Sequence, residues 1–194
     1  MTPEVVLASA SPRRRDLLRR ICPEFRVVPS AIAEEALPGP PAEVAGALAL
    51  AKARAVAETA PDAVVLGADT IVVVDGEILG KPGGVADAAR MLRRLRNRPH
   101  EVLTGVAVVR ARERDERTAV VRTRVTMRDY SEAEIARYVA TGEPLDKAGA
   151  YAVQEGGGQL VARVDGCYTN VVGLPLTTTR ALLEAFGVTV LRQG

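Results

Sequence analysis

The chain has 194 residues, of which 47% are hydrophobic and 26% charged, and its formal net charge is +2. A chain of this length buries about 70% of its unfolded surface, so it needs neither a disulfide nor a structural metal to fold. These values exclude disordered and fibrous proteins and predict one soluble domain over residues 1–194, with room for two small lobes.

The first half of the chain predicts alternating strands and helices. Ser11 and Pro12 are typical of a helix N-cap and first turn, and Asp75-Gly76 favours a hairpin turn. Asp69 and Thr70 are expected to end a buried strand. The predicted elements are strands at residues 5–8, 25–28 and 63–68, helices at 13–21, 41–60 and 85–96, and a hairpin of 71–74 with 77–79.

The second half predicts paired strands, followed by mixed elements. Residues 102–110 and 118–127 are two β-branched runs, expected to pair antiparallel across the charged turn 111–117. Ser131 and Glu134 have capping-box spacing and open a helix that runs to Ala140. A Gly-rich loop at 142–158, a strand at 160–164, a helix at 177–186 and a last strand at 188–191 complete the chain. The pattern predicts an α/β fold with a mixed sheet.

The spacing of the cysteines and the length of the apolar runs indicate the cellular compartment of the protein. Cys22 and Cys167 lie far apart and have no metal-ligand spacing, so we expect neither a zinc site nor a disulfide. No apolar run approaches the roughly 20 residues that span a bilayer, and the N-terminus lacks a leader pattern. We therefore expect a cytoplasmic protein.

A turn that follows the first strand has the composition of an anion site. Ser9 and Ser11 precede a helix whose first turn contains Arg13, Arg14 and Arg15. The N–H groups and the positive dipole end of a helix N-terminus favour an anion, whereas arginines there oppose the dipole unless an anion is bound. The alternative is an ordinary cap with solvated arginines.

Three further positions carry polar groups suited to a ligand. Asp69 could hold a divalent cation or take a proton from water, or it could be a turn residue. Lys81 lies in a Gly-Lys-Pro-Gly-Gly segment that lacks P-loop spacing, so we do not expect a Walker-type enzyme. Gln154 could read a nucleobase edge, since its amide both donates and accepts, or it could be a solvated loop residue.

Six ordered segments together resemble one family. They are LASASPRR at 7–14, LAKARA at 50–55, LGADT at 66–70, GEILGKP at 76–82, EPLDKAGAY at 143–151 and VVGLPL at 171–176. This set is similar to the Maf-type nucleoside triphosphate pyrophosphatases, which are related in fold to the inosine triphosphatases. The resemblance implies a twisted mixed sheet flanked by helices and split by a deep active-site cleft.

The resemblance also implies a reaction and its residues. A nucleoside triphosphate would be hydrolysed to the monophosphate and pyrophosphate with a divalent cation, Mg²⁺ or Mn²⁺. Asp69 would be the catalytic carboxylate, and Glu34 would join it in binding the metal, with Glu35 as the alternative to Glu34. The implied phosphate-binding residues are Ser9, Ser11, Arg14, Lys52 and Lys81. Arg13, Thr70 and Gln154 match the specificity residues of the branch that prefers dTTP and UTP.

Two other functions stay open at this point. One is hydrolysis of 7-methyl-GTP, the activity of a sister branch, and the other is a non-catalytic nucleotide sensor in cell division. We expect the partner to be the nucleotide, with no nucleic acid and no membrane, and a homodimer is compatible with the sequence. His100 is expected at a turn or strand entry, and the arginines between 93 and 98 are expected on a solvated helix face.

Overall fold

The computed structural model describes residues 3–32 and 38–191. These residues form two compact units: residues 3–32, 38–69, 104–121 and 173–191 make the first, and residues 70–103 and 122–172 make the second. The strands are β1 (Val5–Leu7), β2 (Arg26–Val27), β3 (Val64–Val74), β4 (Glu77–Leu79), β5 (Pro99–Arg110), β6 (Asp115–Met127) and β7 (Val161–Asp165). The helices are α1 (Pro12–Arg19), α2 (Pro41–Ala57), α3 (Val85–Leu95), α4 (Glu132–Ala140), α5 (Tyr168–Val172) and α6 (Leu176–Ala185).

The strands form one mixed sheet in the order β2-β1-β3-β5-β6-β7, with β4 paired to β3. β1 is parallel to β2 and β3, whereas β4 is antiparallel to β3 and β7 is antiparallel to β6. β5 and β6 are neighbours joined by residues 111–114 alone, a connection too short for a parallel crossover. The predicted α/β fold with a mixed sheet is therefore confirmed.

In the first unit, α2 packs unusually close to the sheet. A Cβ atom built on Gly67 of β3 would lie 2.3 Å from the carbonyl oxygen of Ala49, and one on Gly105 of β5 would lie 2.1 Å from that of Ala45. The core around them consists of small residues, mostly alanine and valine. Glycine in the strands and alanine on the helix thus allow backbone-to-backbone contact, which fixes where the side chains of α2 can reach.

β3 corrects one sequence-based prediction. We expected the buried strand to end at Asp69 and Thr70, but the strand continues through both residues to Val74. Asp69 is 5% exposed, and its carboxylate accepts a hydrogen bond from a lysine ammonium. Because that cation offsets the charge, the polar residue does not interrupt the buried strand.

The last predicted strand, at residues 188–191, is wrong. The N–H of Val188 donates to the carbonyl of Leu183, which with Gly187 at a φ of 76° ends α6 in a glycine-based cap. The N–H of Leu191 then donates to the carbonyl of Ile21 at 2.7 Å. The segment is thus held by the ends of two helices instead of by a neighbouring strand.

The second unit has a core of larger side chains. Leu92 and Leu95 of α3, Ile135 and Tyr138 of α4, and Tyr151 are all buried in it. The capping box predicted at Ser131 and Glu134 is present. The stretch expected as a plain loop at 142–158 instead contains short 3-10 helices at Glu143–Asp146, Ala148–Ala150 and Gly156–Leu160, and α5 was not predicted.

Both cysteines are free thiols, Cys22 buried and Cys167 partly buried, so the expectation of no disulfide is confirmed. Among the helices that the structure describes, none is both long and apolar enough to span a bilayer.

His100 lies at the start of β5, as expected for a strand-entry residue, and is 3% exposed. Its Nε2 lies 2.6 Å from the hydroxyl of Tyr151, with which it shares a hydrogen bond. Within the described part of the chain, Nδ1 is buried without a hydrogen-bond partner. Burial lowers the pKa of His100 to about 4, because the charged imidazolium would be poorly solvated there.

This shift makes stability depend on pH. Between pH 6.5 and pH 4 the unfolded chain binds a proton at His100 and the folded chain does not, so stability falls as the pH is lowered through that range. Because of His100, we expect the free energy of unfolding to be about 2 kcal/mol lower at pH 5 than at pH 7. Urea unfolding of the wild type and of His100→Gln at both pH values checks this, and an equal pH dependence in the two proteins would contradict it.

Candidate active site

A buried ion pair lies in the first unit. Lys52 Nζ on α2 donates to Asp69 Oδ1 in the middle of β3 at 2.6 Å, and each side chain is 8% exposed. Removing two charges from water costs several kcal/mol per ion, which only close and well-directed contact offsets. The pair therefore holds the Asp69 carboxylate in a fixed position with limited access to water.

The close approach of α2 to β3 explains how this pair forms. A Cβ atom built on Gly67 would lie closest to backbone atoms of Ala49 and Ala53, which lie before and after Lys52 on α2. Asp69 follows Gly67 by two residues and so points to the same face of the strand. A side chain at position 67 would force the helix away and lengthen the distance that Lys52 must span.

The turn between β1 and α1 forms a second polar group in the first unit. Ser9 is 7% exposed, and its Oγ accepts hydrogen bonds from the Ser11 N–H at 3.2 Å and from Arg14 Nη1 at 3.4 Å. Ser11 Oγ caps α1 by accepting from the Arg14 N–H, while Arg14 Nε donates to the Gly173 carbonyl at 2.9 Å. The turn is thus held by its own serines, and the Arg14 guanidinium is fixed in one orientation.

The sheet register relates these two groups. Leu7 of β1 is paired with Leu66 of β3, and the Ala8 N–H donates to the Leu66 carbonyl. Ser9 lies two residues after Leu7 and Asp69 three residues after Leu66, the last paired positions of these two neighbouring parallel strands. The first unit contains five predicted residues, Ser9, Ser11, Arg14, Lys52 and Asp69, and Arg13 lies in the first turn of α1. Glu34 and Glu35 lie outside the described residues.

The second unit holds the other predicted residues. Thr70 is partly buried within β3, while Lys81 and Gln154 are exposed on separate segments. The Gly149 N–H donates to the Gly80 carbonyl at 3.1 Å, which joins the segment of Lys81 to the segment that leads to Gln154. Gly149 has a φ of 69°, and a Cβ there would lie 2.9 Å from Val72, so this junction requires glycine.

Sequence reasoning missed one polar group in the second unit. Tyr138 is buried in the core, and its hydroxyl donates to Glu143 Oε1 at 2.7 Å. Glu143 in turn accepts from the N–H groups of Gly156 and Gly157. The run of three glycines was the available signal, because glycine permits a close approach of backbone to a polar side chain.

Of the residues that the resemblance implies for a divalent cation, the structure describes Asp69. The described residues contain no cluster of three or more His, Cys, Asp or Glu side chains that could hold a metal ion. Mg²⁺ is commonly held by one or two carboxylates together with water and substrate phosphates, so a full protein cage is not required. The Asp69 carboxylate fits this donor set as one such ligand.

Comparison with known proteins gives consistent matches over nearly the whole chain. The family model described as "Maf-like protein" matches residues 4–186. A dTTP/UTP pyrophosphatase of Moorella thermoacetica is 56% identical over 96% of this chain and 97% of its own length. One of Dictyoglomus thermophilum is 49% identical over 98% of this chain and 100% of its own length.

The fold has a counterpart among solved structures. The Staphylococcus aureus Ham1 protein matches with a TM-score of 0.55 at 19% identity, over 94% of this chain and 99% of that one. This likeness concerns the fold alone, and it confirms the predicted inosine triphosphatase-like architecture. The family model and the relatives confirm the resemblance found in the sequence, and the chain belongs to the Maf-like protein family.

Proposed function

We propose that this chain hydrolyses dTTP and UTP to the nucleoside monophosphate and pyrophosphate. The observation that carries the proposal is the 49–56% identity, over nearly full length, to relatives named dTTP/UTP pyrophosphatase. The buried Lys52–Asp69 pair and the Ser9–Ser11 turn supply a carboxylate, an ammonium and a fixed guanidinium for this chemistry.

The reaction is a displacement at the α-phosphorus. The oxygen of a water molecule forms a bond to that phosphorus, while the bond to the oxygen bridging toward the β-phosphorus breaks and pyrophosphate leaves. Asp69 orients the water and accepts its proton. Lys52 holds Oδ1 at 2.6 Å, so we assign Oδ2 to the water. Placing the carboxylate before the substrate arrives avoids reorganisation during the reaction.

The cationic side chains stabilise the negative charge of the substrate and of the leaving group. A triphosphate carries about four negative charges, and charge-assisted hydrogen bonds to guanidinium and ammonium groups are the strong type. Arg14 is already fixed by the Gly173 carbonyl and the Ser9 hydroxyl. We assign phosphate contacts to Arg14, Lys52 and Lys81, with Ser9 and Ser11 shaping the turn.

We propose a bound Mg²⁺ or Mn²⁺, held by Asp69 and by Glu34 or Glu35. Such an ion neutralises phosphate charge and polarises the phosphoryl oxygens when it is bound. The residues named above position the water, take its proton and orient the phosphates.

We assign selection of the base to Arg13, Thr70 and Gln154. A pyrimidine with a 4-oxo group presents an acceptor at O4 beside a donor at N3–H. The glutamine amide offers a donor and an acceptor side by side and can satisfy both. An amino group at position 4, as in cytosine, reverses this pattern, so a glutamine amide held in one orientation cannot satisfy it.

We propose that the protein works in the cytoplasm on the free nucleotide, without nucleic acid or a membrane. The arginines expected on a solvated helix face support this. Arg93 and Arg96 pair with Glu132, Arg94 pairs with Glu77, and Arg98 pairs with Asp75. Paired guanidinium groups offer less net charge to a polyanion than the sequence alone suggests. A homodimer remains a prediction.

Pyrophosphate release from a panel of nucleoside triphosphates tests the proposal. With Mg²⁺ or Mn²⁺, dTTP and UTP should be hydrolysed faster than dCTP and the purine nucleotides, and EDTA should stop the reaction. A preference for 7-methyl-GTP would contradict the substrate assignment. Nucleotide binding without release of pyrophosphate would indicate a sensor instead of an enzyme.

Replacing Asp69 by asparagine should abolish turnover. Asparagine keeps the shape but removes the proton acceptor, so we expect kcat to fall by at least about a thousandfold while nucleotide affinity stays within about tenfold. Asp62→Asn is the matched control, because Asp62 is an exposed carboxylate paired with Arg112 in the same unit. An unchanged kcat in Asp69→Asn would contradict the assigned role.

Replacing Gln154 by alanine should reduce discrimination between bases. We expect kcat/KM for dTTP to fall about tenfold or more and that for dATP to change little, because the lost contact concerns the base and not the phosphates. Gln159→Ala is the control, as Gln159 is an exposed glutamine of the neighbouring 3-10 helix. Equal losses for both nucleotides would show that Gln154 does not read the base.

A further inference from the structure

The segment that carries Gln154 is exposed at that residue but anchored on both sides of it. Residues 151 and 152 are buried before it, and Gly157 is buried after it. In the second unit, two side chains outside this segment bind its backbone: Tyr138 of α4 and Glu143, which begins the following 3-10 helix. We call this pair the Tyr138–Glu143 clasp.

The Tyr138 hydroxyl binds the segment ahead of Gln154. It accepts from the Ala152 N–H at 3.3 Å and donates to Glu143 Oε1 at 2.7 Å, and Tyr138 is 6% exposed. Burial, reinforced by the carboxylate of Glu143, raises the pKa of Tyr138 well above its ordinary value. The hydroxyl therefore stays protonated and keeps both hydrogen bonds at physiological pH.

The Glu143 carboxylate binds the segment beyond Gln154. Oε2 accepts from the Gly156 N–H at 3.1 Å, and Oε1 accepts from the Gly157 N–H at 3.2 Å. The clasp thus holds the backbone two residues before Gln154 and again two and three residues after it. Such a bracket fixes the direction in which the Gln154 side chain leaves the backbone.

The glycines beyond Gln154 are required by this contact. A Cβ built on Gly157 would lie 2.6 Å from the Tyr138 hydroxyl oxygen, and one on Gly156 would lie 3.0 Å from Glu143 Oε2. Any larger residue at position 157 would therefore displace the hydroxyl. The backbone lies directly on the two polar side chains, which leaves little room for alternative loop conformations.

Lys147 ties the same elements together. It is 7% exposed, and its Nζ donates to the Glu143 carbonyl at 2.7 Å and to Asp146 Oδ1 at 2.8 Å, with Glu155 Oε2 at 3.7 Å. The main chain of Glu143 is thus held while its carboxylate holds the glycines. Glu155, the residue next to Gln154, lies within reach of the same ammonium.

We propose that Tyr138 and Glu143 are positioning residues that set base selectivity by fixing Gln154. The ligand class is a nucleoside triphosphate whose base presents a 4-oxo group beside N3–H. The inference rests on the proposed function, in which Gln154 reads that edge. An amide held in place before binding loses less conformational entropy when the base arrives, so loosening it weakens the preferred nucleotide most.

The test compares two tyrosine variants of the same core. Tyr138→Phe removes the hydroxyl of the clasp, whereas Tyr130→Phe removes a buried hydroxyl of the same core that donates to the Leu92 carbonyl of α3. Tyr138→Phe removes the acceptor of the Ala152 N–H, and Tyr130→Phe removes one of the two donors to the Leu92 carbonyl, so each variant loses a buried hydrogen bond and both should lose stability. We expect Tyr138→Phe to lower the ratio of kcat/KM for dTTP over dATP by about tenfold. Tyr130→Phe should leave that ratio unchanged.

Glu143→Gln provides a second variant, in case Tyr138→Phe does not fold. Its amide retains one acceptor but turns a donor toward an N–H group, so the ratio should fall as in Tyr138→Phe. Amide hydrogen exchange of residues 152–157 supplies a readout that does not depend on activity. Exchange should be faster in both clasp variants and unchanged in Tyr130→Phe.

These variants distinguish a failure of the clasp from a failure of the base-reading role of Gln154. Equal ratios in Tyr138→Phe, Tyr130→Phe and the wild type, with Gln154→Ala still altering the ratio, would overturn the clasp and leave the proposed function intact. An unchanged ratio in Gln154→Ala would overturn the base-reading role of Gln154, and the inference built on it would fall as well. Slow exchange at residues 152–157 in both clasp variants would overturn the claim that the clasp holds the loop.

Discussion

The contact between the Lys52 ammonium and the Asp69 carboxylate is the interaction on which the first unit depends. Two charges with 8% of their side chains exposed are stable only if each offsets the charge of the other. That requirement explains the small residues of α2, the glycine two positions before Asp69 and the short distance between the backbones of α2 and the sheet. It also explains why a strand can carry an aspartate in its middle and remain a strand.

The second unit places polar groups by a different means. Its buried tyrosines make hydrogen bonds within a core of large side chains: Tyr130 and Tyr138 bind backbone groups, and Tyr151 binds His100. Low water content strengthens each bond and makes each unpaired group costly. The exposed Gln154 therefore gains a defined position from residues that are themselves hidden.

The sequence predicted what depends on local pattern. The capping box at Ser131, the Pro-led helix that follows Ser11 and the hairpin at Asp75-Gly76 are set by neighbouring residues, and the structure confirms them. The continuity of β3 depends on Lys52, which lies 17 residues before Asp69 in the sequence. The clasp depends on contacts between residues up to 19 positions apart, as for Tyr138 and Gly157. Such contacts leave no periodicity in the sequence. The segmental resemblance marked Asp69 and Lys52 as functional residues, but it did not show that they form an ion pair.

A double-mutant cycle on Lys52 and Asp69 measures how far the two charges stabilise each other in the folded protein. The free energy of unfolding is measured in urea for the wild type, Lys52→Met, Asp69→Asn and the double variant. Lys52→Met leaves a buried carboxylate uncompensated and should cost about 3 kcal/mol. We predict that the double variant loses less unfolding free energy than the two single variants together, by at least about 1 kcal/mol. Strictly additive losses would contradict it, because they would mean that the two charges do not stabilise one another in the folded protein.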